Sequence, residues 1–269
     1  MTDLLFEVRD HIATITLNRP EAYNAFSEEM ITEWIKALEI VRDSNDIRVV
    51  IVKGNGKSFC AGGDIKAMQA GEGFFSKRRR YLFYRFSTKK IHFGKKIQRI
   101  PLLLEEIDKP VIAQVHGFAM GAGLDMALMC DIRIAAKSTK ISESYINVAI
   151  VPGDGGAYYL PKLIGIDQAL DMFWTARVLT ADEAKDKGVV TFVVDDHELD
   201  EYTMNYARDL ASRPTTTLQF IKRAVYQSQR MDLRTALDYI SSQMAIVTEL
   251  DDFKEGVSAV VEKRKPVYK

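Results

Sequence analysis

The chain has 269 residues and a formal net charge of +0, so no global field draws it toward nucleic acid or an anionic membrane surface. Apolar residues make up 47% and charged residues 28%, the balance of a globular protein that buries a large core without staples. Two cysteines, Cys60 and Cys130, are too few for a disulfide framework, and no Cys/His cluster with zinc spacing occurs.

The first residues carry acids and no long apolar run, so no signal peptide is expected. Residues 12–17 are β-branched and predict a strand. A turn follows at Asn18-Arg19-Pro20. Ser27 offers an N-cap, with Glu28 and Glu29 at the positive end of the helix dipole. Met30, Trp34, Leu38 and Val41 then recur at helical spacing. Buried strands are predicted at residues 48–55, 109–118, 131–136 and 189–194. Residues 111–129 are the longest apolar-looking region, but Gln114, His116 and Asp125 interrupt it, so no membrane span is expected. A reducing, cytoplasmic location fits these features.

Strands alternating with helices predict an α/β core over residues 1–198. Beyond Glu198 the β signal stops. Amphipathic helices are predicted at residues 199–211, 216–229 and 234–250, and from Asp252 toward Lys263. The region 199–269 is expected either to assemble subunits or to form a layer on its own core. Residues 74–101 are basic and aromatic together, with a cationic run at 77–80. That pattern fits RNA binding, or an amphipathic helix over a pocket; overall neutrality favours the helix.

Two nucleotide signatures fail. Around Gly54-Asn55-Gly56-Lys57-Ser58, Ile51 stands where a P-loop needs its first glycine. After Gly121 and Gly123, Met126 stands where a dinucleotide fingerprint needs its third. Two glycine clusters remain, at Ala61-Gly62-Gly63-Asp64 and Gly121-Ala122-Gly123-Leu124-Asp125. Each follows a predicted strand and precedes a helical run. Side by side, two such turns would aim two N–H groups at one oxygen, which is an oxyanion hole. Without a ligand they are simply tight turns. Residues 141–156 hold a third cluster, with Glu143, Tyr145 and Asp154 ahead of Gly155-Gly156.

The segments Leu17-Asn18-Arg19-Pro20, Phe59-Cys60-Ala61-Gly62-Gly63-Asp64, Gly121-Ala122-Gly123-Leu124-Asp125 and Val151-Pro152-Gly153-Asp154-Gly155-Gly156 resemble the crotonase superfamily, the enoyl-CoA hydratase/isomerase family. The resemblance runs over nearly the whole chain. It implies an α/β fold built as a crotonase-like spiral of ββα units. It also implies C-terminal helices that build trimers, two of which stack as a hexamer. The implied substrate is an acyl-CoA thioester, with no metal and no cofactor beyond the coenzyme A that belongs to the substrate. Motif matching makes the N–H groups of Gly63 and Ala122 the oxyanion donors. Asn24, Ala25, Asp64, Ile65, Lys66 and Lys263 match positions that border coenzyme A in the family.

The catalytic positions depart from the family's hydratase pattern. Its first glutamate is Asp125 here, as in the dienoyl-CoA isomerases, and its second is Tyr145. Asp154 occupies a place where dienoyl-CoA isomerases and dihydroxynaphthoyl-CoA synthases carry a working aspartate. The candidate catalytic residues are therefore Asp125, Asp154, Glu143 and Tyr145. If their segment is extended, Glu143 and Tyr145 face the same way. Asp154 has an alternative role as a helix cap, Glu143 as an ion pair, and Tyr145 as wall packing. The expected function is an enoyl-CoA hydratase/isomerase working through a thioester enolate. A dienoyl-CoA isomerase, other enolate chemistry (hydrolysis or a C–C bond reaction), and an inactive or RNA-binding scaffold are the alternatives.

Overall fold

The computed structural model describes residues 2–71 and 96–268. The aromatic residues of the basic segment, Phe74, Phe75, Tyr81, Phe83, Tyr84 and Phe86, and the cationic run at 77–80 lie outside the described residues.

The chain opens with an antiparallel pair, β1 (Leu4–Arg9) and β2 (Ile12–Leu17), joined by Asp10 and His11, both at positive φ. Sequence patterning misses β1 because it is an edge strand: Leu5 and Val8 stay exposed, so it carries little of the core. α1 (Glu28–Asp43) starts as predicted, the Ser27 hydroxyl accepting the Met30 N–H at 3.0 Å. Its apolar face buries Met30, Ile31, Trp34, Leu38 and Val41. Trp34 meets Phe26 edge-on, ring centroids 6.3 Å apart.

There follow β3 (Val49–Gly54), α2 (Ile65–Ala70), α3 (Arg99–Glu106), β4 (Val111–Val115), β5 (Phe118–Met120), α4 (Ala122–Leu128), β6 (Ile132–Ala136) and β7 (Lys140–Ser142). A 3-10 turn (Ser144–Val148) leads to α5 (Gly156–Ile164), α6 (Ile166–Thr175), β8 (Leu179–Thr180), α7 (Ala181–Asp186) and β9 (Phe192–Val194). The predicted strand at 109–118 is in fact two. Gly117 turns the chain between them at φ +59°, and a Cβ there would meet the Lys57 carbonyl oxygen at 2.0 Å.

The larger sheet runs β1-β2-β3-β4-β6-β9, parallel from β2 onward, and the smaller runs β5-β7-β8. The chain places β4 in the large sheet and β5 in the small one, then repeats with β6 and β7. That alternation is the ββα spiral. Burial on both faces explains the unbroken apolar run in β3. Val50 and Val52 point into the main core, while Val49 and Ile51 face the opposite side.

α8 (Leu199–Ala211) covers that opposite side, setting Leu199, Ala207 and Ala211 against Ile12, Ile112 and Ile134. α9 (Thr215–Ser228), α10 (Leu233–Val247) and α11 (Asp251–Val261) complete the chain. They keep large apolar side chains in the open, including Leu233 at 75% and Val260 at 77% exposure. Among the described residues no helix is long and apolar enough to cross a membrane.

Trp34→Ala empties the centre of the α1 packing face and is expected to destabilise the fold by about 3–5 kcal/mol. Urea unfolding followed by circular dichroism measures it.

Candidate active site

The two glycine turns lie side by side. The Cys60 N–H donates to the Phe118 carbonyl, and the Met120 N–H returns to the Cys60 carbonyl, each at 3.0 Å. A Cβ on Gly62 would meet the Met120 oxygen at 2.5 Å, and one on Gly123 the Cys60 oxygen at 2.3 Å. Only glycine permits so close an approach. Gly63 then sits in the loop before α2, and Ala122 is the first residue of α4, where an N–H has no partner within the helix. Among the described residues neither N–H donates to another protein group outside the helices and strands. Both residues line a cavity of about 1070 Å³.

Behind the cavity wall is a cluster of buried acids. Asp125 comes from α4 and is wholly buried. Glu143 follows β7 and is also wholly buried. Tyr145 sits in the 3-10 turn rather than an extended segment, and its hydroxyl lies 2.7 Å from Asp125 Oδ2 and 3.1 Å from Asp154 Oδ2. Thus Tyr145 reaches Asp125 through a turn and not through strand alternation. Both Glu143 oxygens, Asp125 Oδ1 and Asp154 Oδ1 are buried without a hydrogen-bond partner. Asp154 does not cap α5; Gly155 holds that place without a side-chain bond.

Burial raises Asp125 to about 6, against the opposing pull of the Tyr145 hydroxyl and of the Gly156 and Asp154 N–H groups. Burial, and then the neighbouring Asp125 charge, raise Asp154 to about 7. Burial first and Asp125 second hold Glu143 well above the carboxylate range, and the same two causes raise Tyr145. Gly156 makes room for the cluster: a Cβ there would lie 2.0 Å from Asp125 Oδ1. The Cys60 thiol, pushed up to about 12 chiefly by burial, adds no charge. Among the described residues no three His, Cys, Asp or Glu side chains are arranged to hold a metal ion.

Of the predicted catalytic residues, Tyr145 and Asp154 line the cavity, whereas Asp125 and Glu143 stand behind them. Of the predicted coenzyme A contacts, Asp64 and Ile65 line it. Asp64 also caps α2 through the Ala67 N–H at 3.1 Å and bonds Arg19 at 3.2 Å. Asn24 is wholly buried and gives its amide hydrogens to the backbone oxygens of Asn55 and Ser58, so it shapes the loop instead of facing the cavity. Ala25 is buried, and Lys66 and Lys263 are exposed. Arg19, missed by sequence reading, lines the cavity and donates to the Ala25 carbonyl at 2.6 Å; a cation beside the first loop was the available signal. His116 bonds the Gly56 carbonyl at 3.0 Å, a structural role.

The sequence profile of the enoyl-CoA hydratase/isomerase family matches residues 7–269. The chain is 33% identical to the crotonyl-CoA hydratase of Syntrophomonas wolfei, covering 98% of this chain and 96% of that protein. It is 32% identical to the 1,2-epoxyphenylacetyl-CoA isomerase of Escherichia coli, covering 100% of this chain and 98% of that one. The crystal structure of an enoyl-CoA hydratase from Bacillus anthracis matches with a TM-score of 0.88 at 32% identity, covering 99% of each chain. The chain therefore belongs to the enoyl-CoA hydratase/isomerase family and is an acyl-CoA-processing enzyme with the crotonase fold.

Gly156→Ala is expected to displace the Asp125 carboxyl and to lower turnover by about 100-fold, the scale of losing a positioned proton-transfer group; steady-state assay against a family thioester checks it. A pH effect on stability also follows. Asp154 binds its proton more tightly folded than unfolded, so its contribution is complete below the ordinary carboxylate range and is lost as pH rises through about 7. Asp154→Asn is expected to flatten the fall in unfolding free energy between about pH 5 and pH 8, read from urea titrations at both ends.

Proposed function

We propose that the enzyme moves the double bond of an unsaturated acyl-CoA through a thioester enolate. The Gly63 and Ala122 N–H groups would hold the enolate oxygen, where preorganised donors stabilise charge that water solvates poorly. Asp154 would exchange the proton at the acyl chain. The observation that carries this reading is the placement of Asp154 on the cavity wall, backed by Tyr145 in place of a second carboxylate. Adding water across a double bond calls on two positioned groups, one to deprotonate it and one to protonate the carbon. Moving a proton between two carbons needs one.

Hydration is the second reading, favoured by the likeness to the crotonyl-CoA hydratase. The cavity rim near Asp64, Ile65 and Lys66 would take the coenzyme A nucleotide, with Lys263 adding charge and Asn24 and Ala25 supporting the loop. No metal or redox cofactor is called for. The core over residues 1–198 would carry the chemistry and residues 199–269 would assemble trimers or hexamers. The exposed apolar side chains of α9, α10 and α11 support that assembly.

A panel of 2-enoyl-, 3-enoyl- and dienoyl-CoA thioesters, followed by product mass and nuclear magnetic resonance, tests the reaction. Constant mass with a shifted double bond is the expected result, and a gain of one water selects hydration. Asp154→Asn is expected to lose about 100-fold or more in kcat while still binding coenzyme A; unaltered turnover removes Asp154 from the mechanism. Size-exclusion chromatography with light scattering is expected to give a trimer or hexamer mass, and a monomer would refute the assembly role.

A further inference from the structure

Tyr145 poses a problem of hydrogen counting. Its hydroxyl carries one hydrogen yet lies within bonding distance of two carboxyl oxygens, at 2.7 Å and 3.1 Å. An ionised carboxylate only accepts. If Tyr145 donates to one neighbour, the other must be a carboxylic acid that donates to the phenol oxygen. Glu143 raises a separate question: both its oxygens are buried without a hydrogen-bond partner, a setting in which the neutral acid is the cheaper form. Tyr145, Asp125 and Asp154 are joined by two contacts, and Tyr145 supplies one hydrogen. The other sits on one of the two aspartates.

The surroundings say which aspartate is left ionised. The Tyr145 hydroxyl lies closer to Asp125, at 2.7 Å, than to Asp154, at 3.1 Å, and the backbone N–H groups of Gly156 and Asp154 favour the charged form of Asp125. Asp125 is the natural seat for the single negative charge. Glu143 holds one proton. Asp154 holds the other on Oδ2 and donates to Tyr145. That leaves Asp154 Oδ1 as a buried acceptor with no hydrogen-bond partner, on a residue that lines the cavity.

We propose that a proton leaving the substrate is relayed by Asp154 and Tyr145 to Asp125, which never touches the substrate. In the step, the substrate C–H bond breaks and its proton bonds to Asp154 Oδ1. Asp154 Oδ2 releases its proton to the Tyr145 oxygen, and the Tyr145 hydroxyl hydrogen passes to Asp125 Oδ2. Three protons shift by one place. The negative charge leaves Asp125 and appears on the thioester oxygen between Gly63 and Ala122. Asp154 stays neutral throughout, and the reverse shift returns a proton to a different carbon. Tyr145 and Asp125 are thus positioning residues for the proton, and a neutral Glu143 adds no second charge to the cluster. The relay rests on the enolate reading of the cavity.

The first test needs no substrate. Infrared spectra of the resting protein just below the pH of about 7 at which Asp154 gives up its proton are expected to show two protonated carboxyl C=O stretches from buried groups, one lost in Asp154→Asn and another in Glu143→Gln. A spectrum with none, or a band that survives both substitutions unchanged, overturns the proton assignment. The second test uses turnover. The rate in mixed light and heavy water is expected to bow against deuterium fraction, because several protons move together. In Tyr145→Phe the rate is expected to fall by about 100-fold and the plot to become linear. A linear plot for the unaltered enzyme, or an equally bowed one for Tyr145→Phe, overturns the relay. If no thioester in the panel reacts while both infrared bands are present, the proposed reaction fails and the proton arrangement stands.

Discussion

The backbone of Cys60 to Gly63 is pressed against that of Phe118 to Gly123, and the site depends on that contact. Two hydrogen bonds through Cys60 hold the loops together, and Gly62 and Gly123 remove the side chains that would keep them apart. The approach delivers Gly63 and the start of α4 to one cavity wall. Because α4 begins there, Asp125 is carried one turn inward, into the region where its carboxyl meets Tyr145 and Asp154. The donors at the surface and the acids beneath them are consequences of one packing event.

The acids form a layered arrangement. Asp154 and Tyr145 face the cavity while Asp125 and Glu143 are sealed behind them. Burial makes ionisation of every member costly. A phenol stands between the two aspartates. The phenol cannot act as a base itself, since burial and the flanking acids raise its pKa, but it can pass a proton between neighbours.

The C-terminal helices divide into two kinds. α8 closes the outer face of the large sheet, so it belongs energetically to the core despite its place beyond residue 198. α9, α10 and α11 present apolar side chains that the chain itself leaves uncovered. α8 is thus a layer on the chain's own core, and the uncovered faces of α9, α10 and α11 are what the proposed assembly rests on.

Much of this was legible in the residues. Periodicity located α1, the buried strands and the four last helices, because a buried face imposes its spacing on the sequence. The glycine turns were legible because only glycine permits such approach, and the family's motifs carried the fold. Edge strand β1 was not legible, since little of it is buried, nor was the split at Gly117, where a loop forces the turn. The paired bonds of Asn24 were hidden because its partners lie 31 and 34 residues away. Above all, the residues name the acids the enzyme owns, but not which are protonated. Asp125, Tyr145 and Asp154 lie 20 and 9 residues apart and meet only after β6 and β7 cross between the sheets. Tertiary structure decided their chemistry, because a pKa is set by burial and by neighbours, and neither exists until the chain has folded.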